Sequence, residues 1–512
     1  MFKKFIFLIF ILQIMNISKE DKNNYGIVYT PDSLVNKILD LIPKKYFSNP
    51  DLRWLDIGAG NGAFSLNLYN RLFNDLSNIF PNTTTRKDHI IKNMIYMCEI
   101  YPPHIEELKT HFSQDANIIQ KDFLALNKYE YKPFDIIIGN PPYNIHGALK
   151  TPTNNSLKKA DDGKQVYVEF INKSLDLLYD QGHLALIIPT LWMKPDKAGL
   201  YNTLTSHNFS IKYLNCLSTT QTQKEFLYQA QTPTCYLCGE VAPHATNKIG
   251  EQTHATEKSG QDHPKIIPIY DKIHKKYIDY KLRPNYPIPT HGINIINKLL
   301  YYVDQVGYLK VYKSNTPPKN SKFSDTPFLL DNSNIACLAP QNIKTTKISK
   351  KTPILIKNYS NILQPFANQP KLILAHKMYG FPFLDISGIY GISSRDNYIL
   401  TGITETKTEN KKTKTKFTGN YSINELQQIQ AFLSTKTALF VFSTTNYRMR
   451  YLEKYAFQFL PNITKIKNFP NLLNSDPATR EKLIINFFNF SQLEEKNINN
   501  LSQSYNHFID NK

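Results

Sequence analysis

Cysteine is scarce in this chain. The five cysteines among 512 residues follow no disulfide-framework spacing, which favours a reducing compartment. Cys235 and Cys238 form a pair at metal-ligand spacing, but no second pair follows, as a four-cysteine zinc site would need. The context of residues 232–238 is typical of a strand. We therefore predict that both cysteines lie on a core strand and that the protein binds no metal.

A long hydrophobic run is also missing. Lys3 and Lys4 precede an apolar stretch over residues 5–15 that has the charge and length of a signal-peptide core. That stretch is too short to span a bilayer, and no small-residue cleavage site follows it. We interpret residues 1–20 as a short N-terminal apolar appendage, or as the result of a start codon assigned too early, with Met15 as the true start. A membrane or secretory role is the competing interpretation.

Positive charge is concentrated in the second half of the chain. The formal net charge is +19 and the isoelectric point is near 9.3, which points to a polyanionic partner. Residues 1–240 contain 25 Lys and Arg against 23 Asp and Glu, whereas residues 241–512 contain 36 against 19. We therefore predict a chemistry module followed by a module that binds nucleic acid.

The length predicts roughly two to four domains. We place a catalytic domain at residues 21–240 and a polar linker at 241–265. A basic domain of mixed α+β structure follows at 266–470, and residues 471–512 form a C-terminal tail. The predicted elements of the basic domain are strands at 353–356 and 370–375, helices at 426–433 and 451–460, and a Lys/Thr-rich loop at 406–416.

Strand and helix signals alternate through the first of these domains. The predicted strands are residues 53–57, 95–98, 117–120, 134–138 and 183–188, and the helices between them are 64–73, 103–112 and 167–179. This alternation predicts an α/β fold with a Rossmann-like doubly wound sheet. Such sheets bind ligands beyond the carboxyl ends of their strands.

A short motif, Asn140-Pro141-Pro142-Tyr143, follows the fourth predicted strand directly. The Asn140 side-chain oxygen and the Pro141 carbonyl are two acceptors, and a proline adds no competing N–H donor. Tyr143 offers a face on which a flat ring can stack. The motif therefore suits a pocket that grips a planar exocyclic amino group, although Pro-Pro also marks ordinary strand ends.

A glycine-rich turn, G-x-G-x-G, follows Asp56 after the first predicted strand. Gly58 and Gly60 let the backbone approach a ligand closely. The G-x-G-x-x-G dinucleotide spacing is absent, so a nicotinamide cofactor is less favoured.

Acidic residues follow the next two predicted strands. Glu99 ends the second strand, where a carboxylate can accept ribose hydroxyls, and Asp122 ends the third, where it could accept from an adenine amino group. Phe123 could pack on that adenine ring. Each carboxylate alone would pass for a surface or cap residue, but their joint placement after successive strands favours one ligand-binding rim.

These motifs resemble those of S-adenosylmethionine-dependent methyltransferases that modify adenine N6 in DNA. Residues 25–31, Tyr-Gly-Ile-Val-Tyr-Thr-Pro, are similar to the N-terminal cofactor motif of the gamma (Taq-type) enzymes, and residues 182–189 are similar to their strand motif after Asn-Pro-Pro-Tyr. In that group a target-recognition domain follows the catalytic motifs, as the charge distribution here suggests. Asp56 is a departure, because the gamma enzymes often carry Glu-Pro there.

The resemblance implies a role for each matching residue. The cofactor S-adenosylmethionine would be held by Thr30, Gly58, Gly60, Glu99, Asp122 and Phe123, with Asp56 orienting its methionine end directly or through the loop backbone. Asn140 and the Pro141 carbonyl would accept both N6 hydrogens of a flipped adenine. Tyr143 would stack on one face of that base, and Phe226 on the other, with Tyr228 as the competing candidate for the second face.

The resemblance also implies double-stranded DNA as the partner, with or without a separate restriction endonuclease, and a cytoplasmic location where DNA is accessible. Arg448 and Arg450 are candidates for guanine contacts, and residues 144–164, including His146, for backbone contacts. Solvated surfaces are the alternative for both. Methylation of RNA adenine or protein glutamine, and DNA binding without catalysis, are the competing functions.

Overall fold

The computed structural model describes residues 21, 27–143, 165–195, 199–243, 265–332, 335–349, 352–376, 382–407, 415–448 and 452–502. The chain divides into two compact units, Met1–Tyr270 with Tyr277–Asn285, and Asp271–Lys276 with Tyr286–Lys512. Several predicted features lie outside the described residues: the apolar segment 1–20, Tyr25 and Gly26 of the N-terminal motif, residues 144–164 with His146, most of the linker, part of the Lys/Thr-rich loop, and Arg450.

Nine strands among the described residues form one sheet in the first unit, in the order β3-β2-β1-β4-β5-β7-β6-β8-β9. Strands β1 to β5 run parallel, and β7 is antiparallel to both β5 and β6. Their bounds are β1 Trp54–Asp56, β2 Ile95–Cys98, β3 Asn117–Ile119, β4 Phe134–Gly139, β5 Leu178–Pro189, β6 Phe209–Leu217, β7 Thr234–Val241, β8 Ile266–Asp271 and β9 Lys276–Lys281. This mainly parallel sheet with helices between its strands confirms the predicted α/β fold class.

Helices connect these strands. They are α1 Asp32–Leu39, α2 Ala63–Asp75, α3 Thr83–His89, α4 Pro102–His111, α5 Val166–Leu177, α6 Leu200–Thr205 and α7 Thr219–Glu225. Helix α1 begins directly after Thr30-Pro31, and Asp32 at its start accepts a hydrogen bond from Asn67 on α2 at 2.9 Å. Thr30 is thereby fixed against the helix that follows β1.

The parallel strands are almost wholly apolar because helices cover both faces of such a sheet. All three residues of β1 and five of the six residues of β4 are buried. The predicted strands are confirmed to within about five residues at their ends, which is usual where pattern alone sets a boundary. Cys235 and Cys238 lie on β7 and are fully buried, as predicted.

The second unit is a mixture of small sheets and helices, as predicted. Its two four-stranded sheets have the orders β10-β19-β16-β17 and β11-β15-β14-β18, and two hairpins, β12-β13 and β20-β21, accompany them. The strands are β10 Tyr312–Lys313, β11 Phe323–Ser324, β12 Leu329–Asn332, β13 Ile335–Leu338, β14 Gln341–Ser349, β15 Thr352–Ser360, β16 Lys371–Ala375, β17 Pro382–Asp385, β18 Gly391–Ile392, β19 Asn397–Thr401, β20 Thr404–Lys407 and β21 Thr415–Thr418. The helices are α8 Ile293–Val306, α9 Ile423–Leu433, α10 Lys436–Ser443, α11 Pro477–Phe487 and α12 Gln492–Ser502.

Three details of the predicted organisation differ from the structure. The predicted C-terminal tail contains helices α11 and α12, which belong to the second unit and bury Ile484, Ile485 and Ile498. Strands β8 and β9 belong to the sheet of the first unit, beyond the boundary predicted at residue 265, because β8 pairs with β6 at Leu214 and Ile269. The helix predicted at 451–460 is a 3-10 helix over Lys454–Phe459. In the part of the chain that the structure describes, no helix has the length and apolar character needed to cross a membrane.

Candidate active site

The ends of the first four parallel strands meet at one edge of the sheet. Three backbone hydrogen bonds join neighbouring strand ends: Ile57 N to Ile138 O at 3.2 Å, Ala59 N to Cys98 O at 3.0 Å, and Glu99 N to Ile119 O at 3.1 Å. The glycine-rich turn, the two acidic positions and the Asn-Pro-Pro-Tyr motif therefore share the carboxyl edge of one sheet, where doubly wound folds bind ligands.

Asn140 is held at this edge by Thr30. The Asn140 Nδ2 group donates to Thr30 Oγ1 at 3.1 Å. Its Oδ1 atom is buried and has no hydrogen-bond partner among the described residues. An unpaired buried amide oxygen is costly, so this atom is an acceptor that an external donor would satisfy.

Gly139 makes this placement possible. Its φ of 145° lies in the region that favours glycine, and a Cβ there would lie 3.0 Å from Ile57 Cγ1 and 3.3 Å from Asp56 Oδ1. A larger residue would push the β4 end away from the β1 end. The glycine therefore sets the distance between Asn140 and the glycine-rich turn.

Glu99 is bound to the backbone of the same edge. Its Oε2 accepts from Gly60 N at 2.7 Å, and its Oε1 accepts from Ile100 N and Tyr101 N, both at 2.8 Å. Burial raises the pKa of this carboxyl, but donors from His104 and from the backbone outweigh the burial, and the net pKa is lowered. Glu99 is therefore an anion that fixes the glycine-rich turn.

Asp56 lies beneath that turn and is fully buried. The Ser65 hydroxyl donates to Asp56 Oδ2 at 2.7 Å, while Oδ1 has no hydrogen-bond partner among the described residues. Burial raises the pKa of Asp56 to about 7, and the bond from Ser65 offsets part of that rise. The carboxyl can thus gain or lose a proton near neutral pH.

The other residues of the Asn-Pro-Pro-Tyr motif form a compact wall. Pro141 is buried, and Pro142 and Tyr143 are half-buried. The Tyr143 hydroxyl is buried and lacks a hydrogen-bond partner in the described part of the chain. Burial, with a smaller contribution from Cys235, raises the pKa of Tyr143, so its hydroxyl stays neutral.

Asp122 and Phe123 follow β3 as predicted, but their side chains differ in exposure. Asp122 is exposed, and its Oδ1 caps a short 3-10 helix by accepting from Leu124 N at 3.0 Å. Phe123 is buried and stacks on Phe170 with ring centroids 4.9 Å apart. Asp122 is open to a ligand, whereas the burial of Phe123 weighs against the stacking role predicted for it.

The two aromatic candidates for the second face of a base are also distinguished by exposure. Phe226 is 0% exposed and packs in the main core cluster, because it ends helix α7 facing the sheet. Tyr228 is 72% exposed, with a left-handed φ of 66°. Its loop leads into β7 at Thr234, which pairs with Pro189 at the carboxyl end of β5. In this structure Tyr228 is better placed than Phe226.

Sequence reasoning missed Ser65 and His104. Ser65 bonds Asp56, and His104 lies 3.8 Å from Glu99 Oε2 through its Nδ1 atom. Ser65 lies nine positions after Asp56, and His104 lies five positions after Glu99. Each is in the first turn of the helix that follows its strand, and this spacing is the sequence signal that could have indicated both residues.

Two further predictions concern sites outside this edge. Arg448 is exposed in the second unit, which leaves its predicted contact with guanine a prediction. Among the described residues, no group of three or more His, Cys, Asp or Glu side chains could hold a metal ion.

The segment that contains this edge of the sheet is similar to known proteins. Residues 63–221 match the Eco57I restriction-modification methylase family. An uncharacterized adenine-specific methylase of Mycoplasma pneumoniae is 27% identical over 242 residues, covering 32% of this chain and 55% of its own. The type II methyltransferase M.BstVI of Geobacillus stearothermophilus is 27% identical over 222 residues, covering 39% of each chain. The resemblance to adenine methyltransferases is therefore confirmed, and the chain spans about half or less of the length of these relatives.

A solved structure also aligns with the chain. It is the ATP-dependent Type ISP restriction-modification enzyme LlaBIII bound to DNA, with 12% identity and a TM-score of 0.42. The alignment covers 84% of this chain and 39% of that one.

Proposed function

We propose that this protein is a site-specific DNA methyltransferase that transfers a methyl group from S-adenosylmethionine to the N6 nitrogen of a flipped adenine. The observation that carries the proposal is the state of Asn140. Its amide nitrogen is occupied by Thr30 while its buried oxygen has no partner among the described residues. That oxygen is the acceptor that an exocyclic amino group requires.

The residues at the sheet edge fit S-adenosylmethionine. Glu99 is an anion at this edge, so a ribose hydroxyl could share its oxygens with the three backbone N–H groups and His104 that already approach them. Asp122 is exposed beyond β3 for an adenine amino group. Asp56 carries negative charge above its pKa of about 7 and would favour a cationic methionine end, directly or through the loop it supports.

When bound, S-adenosylmethionine supplies an electrophilic methyl group on a sulfonium. Asn140 Oδ1 and the Pro141 carbonyl accept the two N6 hydrogens of the target base. These bonds discourage delocalisation of the nitrogen lone pair into the ring, so the nitrogen becomes a better nucleophile. Positioning and fixed dipoles supply most of the catalysis.

The base has to leave the duplex to reach Asn140, at a cost of a few kcal/mol. Stacking offsets part of that cost, and we assign it to Tyr143 on one face and to Tyr228 on the other. Phe226 then supports the loop from the core. The basic residues 241–512 bind the duplex as a target-recognition module.

We further propose that the protein acts in the cytoplasm, alone or with a separate restriction endonuclease. The relatives named as type II methyltransferases support that pairing. Nothing in the geometry of the site favours RNA adenine or protein glutamine over DNA.

A substrate-class assay tests the proposal. The full chain is incubated with tritium-methyl S-adenosylmethionine and, in separate arms, unmethylated genomic DNA, total RNA and a protein extract. We expect label in DNA alone. Label in RNA or protein without DNA, or cofactor binding without transfer to any of the three, would overturn the assignment. Asn74→Ala replaces an exposed residue on α2 and is the matched control for Asn140→Ala.

A further inference from the structure

A buried histidine connects the two functional parts of the sheet edge. His104 is 4% exposed, in the first turn of α4. Its Nδ1 lies 3.8 Å from Glu99 Oε2, and its Nε2 is hydrogen-bonded to the Tyr29 hydroxyl at 3.1 Å. The proposed methyl transfer does not use this histidine, although the histidine lies against the carboxylate assigned to the cofactor.

Tyr29 continues the connection through the backbone. It is 7% exposed and directly precedes Thr30, the residue whose hydroxyl accepts from Asn140 at 3.1 Å. Two hydrogen bonds, one charged contact of 3.8 Å and one peptide link therefore run from Glu99 to Asn140.

Packing keeps this connection in one arrangement. Tyr101 packs edge-on against His104 with ring centroids 4.9 Å apart, and its backbone N–H also binds Glu99. Tyr29 tilts against the same imidazole at 5.7 Å. Buried, mutually satisfied polar groups are rigid, because breaking one bond leaves a desolvated partner.

We propose that Tyr29 and His104 are positioning residues that link the cofactor-binding carboxylate to the base-binding amide. A ribose hydroxyl bound at Glu99 then holds Asn140 in the orientation that accepts the target amine. The inference rests on the proposed methyl transfer. It assigns no contact between either residue and the reacting atoms.

Tyr29→Phe removes one hydroxyl and retains the ring. Loss of one such hydrogen bond corresponds to roughly a tenfold change. We expect kcat for DNA methylation to fall about tenfold, while the Kd for S-adenosylmethionine, measured by calorimetry, changes less than about twofold. Tyr46→Phe is the matched control, because Tyr46 also packs on a histidine, His183, at 4.7 Å. An equal loss of kcat and cofactor affinity, or no loss of either, would overturn the proposal.

A double-mutant cycle separates positioning from general stability. If Tyr29 acts through Thr30, the variant Tyr29→Phe/Thr30→Val will have nearly the kcat of Thr30→Val alone. Independent, multiplicative losses would contradict the link. Should Tyr29→Phe fail to fold in a thermal melt, His104→Gln replaces it in the cycle with the same two outcomes.

Failure of this inference is distinguishable from failure of the proposed function. If the wild-type chain transfers no methyl group to DNA, the proposed function fails. If it does transfer and the cycle is additive, only the link through Tyr29 and His104 fails.

Discussion

Two buried polar clusters, one in each unit, are completed in opposite ways. In the first unit Asn140 and Asp56 each have one bonded atom and one without a partner among the described residues. In the second unit Lys371, at the start of β16, donates to Asp385 at 2.6 Å and to Gln369 O at 3.0 Å.

The second cluster is closed by its own loop. Asp385 also accepts from the backbone N–H groups of Ile389 and Tyr390, at 3.1 and 3.0 Å. Its bonds therefore serve the fold, whereas Asn140 Oδ1 and Asp56 Oδ1 have no partner among the described residues and are the acceptors that we assign to ligands. The contrast teaches that neither burial nor a missing partner marks a site by itself, since Asn342 Oδ1 and Asn397 Oδ1 on strands of the second unit are also buried without a partner among the described residues. Asn140 Oδ1 is distinguished by its position at the carboxyl edge of the parallel strands, beside the glycine-rich turn.

Removing the unpaired Asn140 oxygen should have the largest effect on methyl transfer. We expect Asn140→Ala to lower kcat by about 10³-fold or more, because an oriented acceptor in the transition state is lost. The Kd for S-adenosylmethionine should stay within about twofold, since Glu99, Asp122 and Asp56, which we assign to the cofactor, are left unchanged. Tritium transfer and calorimetry measure the two quantities. Equal loss of both would assign Asn140 a structural role.

Breaking the closed cluster should destabilise the second unit. Lys371→Met leaves the buried Asp385 carboxylate unpaired, and we expect a loss of about 3 kcal/mol in unfolding free energy. Denaturant titration measures that loss, and cofactor binding by the folded variant should be unchanged. Lys313→Met, at an exposed position on β10 of the same sheet, is the control. If Lys371→Met weakened cofactor binding by as much free energy as it destabilised the fold, the contrast between the two units would be wrong.

Removing the exposed ring that we assign to the second face of the base should have a smaller effect. Tyr228→Ala removes the stacking surface, and we expect roughly a tenfold loss in methyl transfer, because stacking on one base contributes about 1–3 kcal/mol. Tyr228→Phe should retain most activity. If Phe226→Leu reduces transfer while Tyr228→Ala does not, the roles of the two aromatic residues are reversed.

The smallest effect concerns pH. Because burial raises the pKa of Asp56 to about 7, the stability this group contributes is fully present below its unfolded pKa of about 4 and is lost as pH rises through 7. The ionised form favours a cationic cofactor. We therefore expect affinity for S-adenosylmethionine to rise by at most about tenfold from pH 6 to pH 8. Asp56→Asn should remove that rise; if the rise persists, the cofactor's own amine causes it.

The sequence allowed much of the first unit to be predicted because its signals are local. Buried parallel strands are short apolar runs, and the glycine-rich turn after β1 marks its own position. The Asn-Pro-Pro-Tyr motif follows directly from β4. The parallel order of the strands then brings their ends together without further information.

The features that the sequence did not predict depend on contacts between residues that are far apart in the chain. The bond between Thr30 and Asn140 joins positions 110 apart, and no pattern around either residue indicates it. The burial of Phe123 depends on Phe170, which lies on α5, beyond β4 in the chain. Strand β8 returns to the first sheet after residues 244–264, so composition alone placed the domain boundary too early.

The most direct test of the central claim is nucleoside analysis of DNA after reaction with methyl-labelled S-adenosylmethionine. Because we assign the unpaired Asn140 oxygen to an adenine amine, we predict label in N6-methyladenine from the wild-type chain and none from Asn140→Ala. Label recovered in N4-methylcytosine or 5-methylcytosine, or undiminished N6-methyladenine from the variant, would contradict the account.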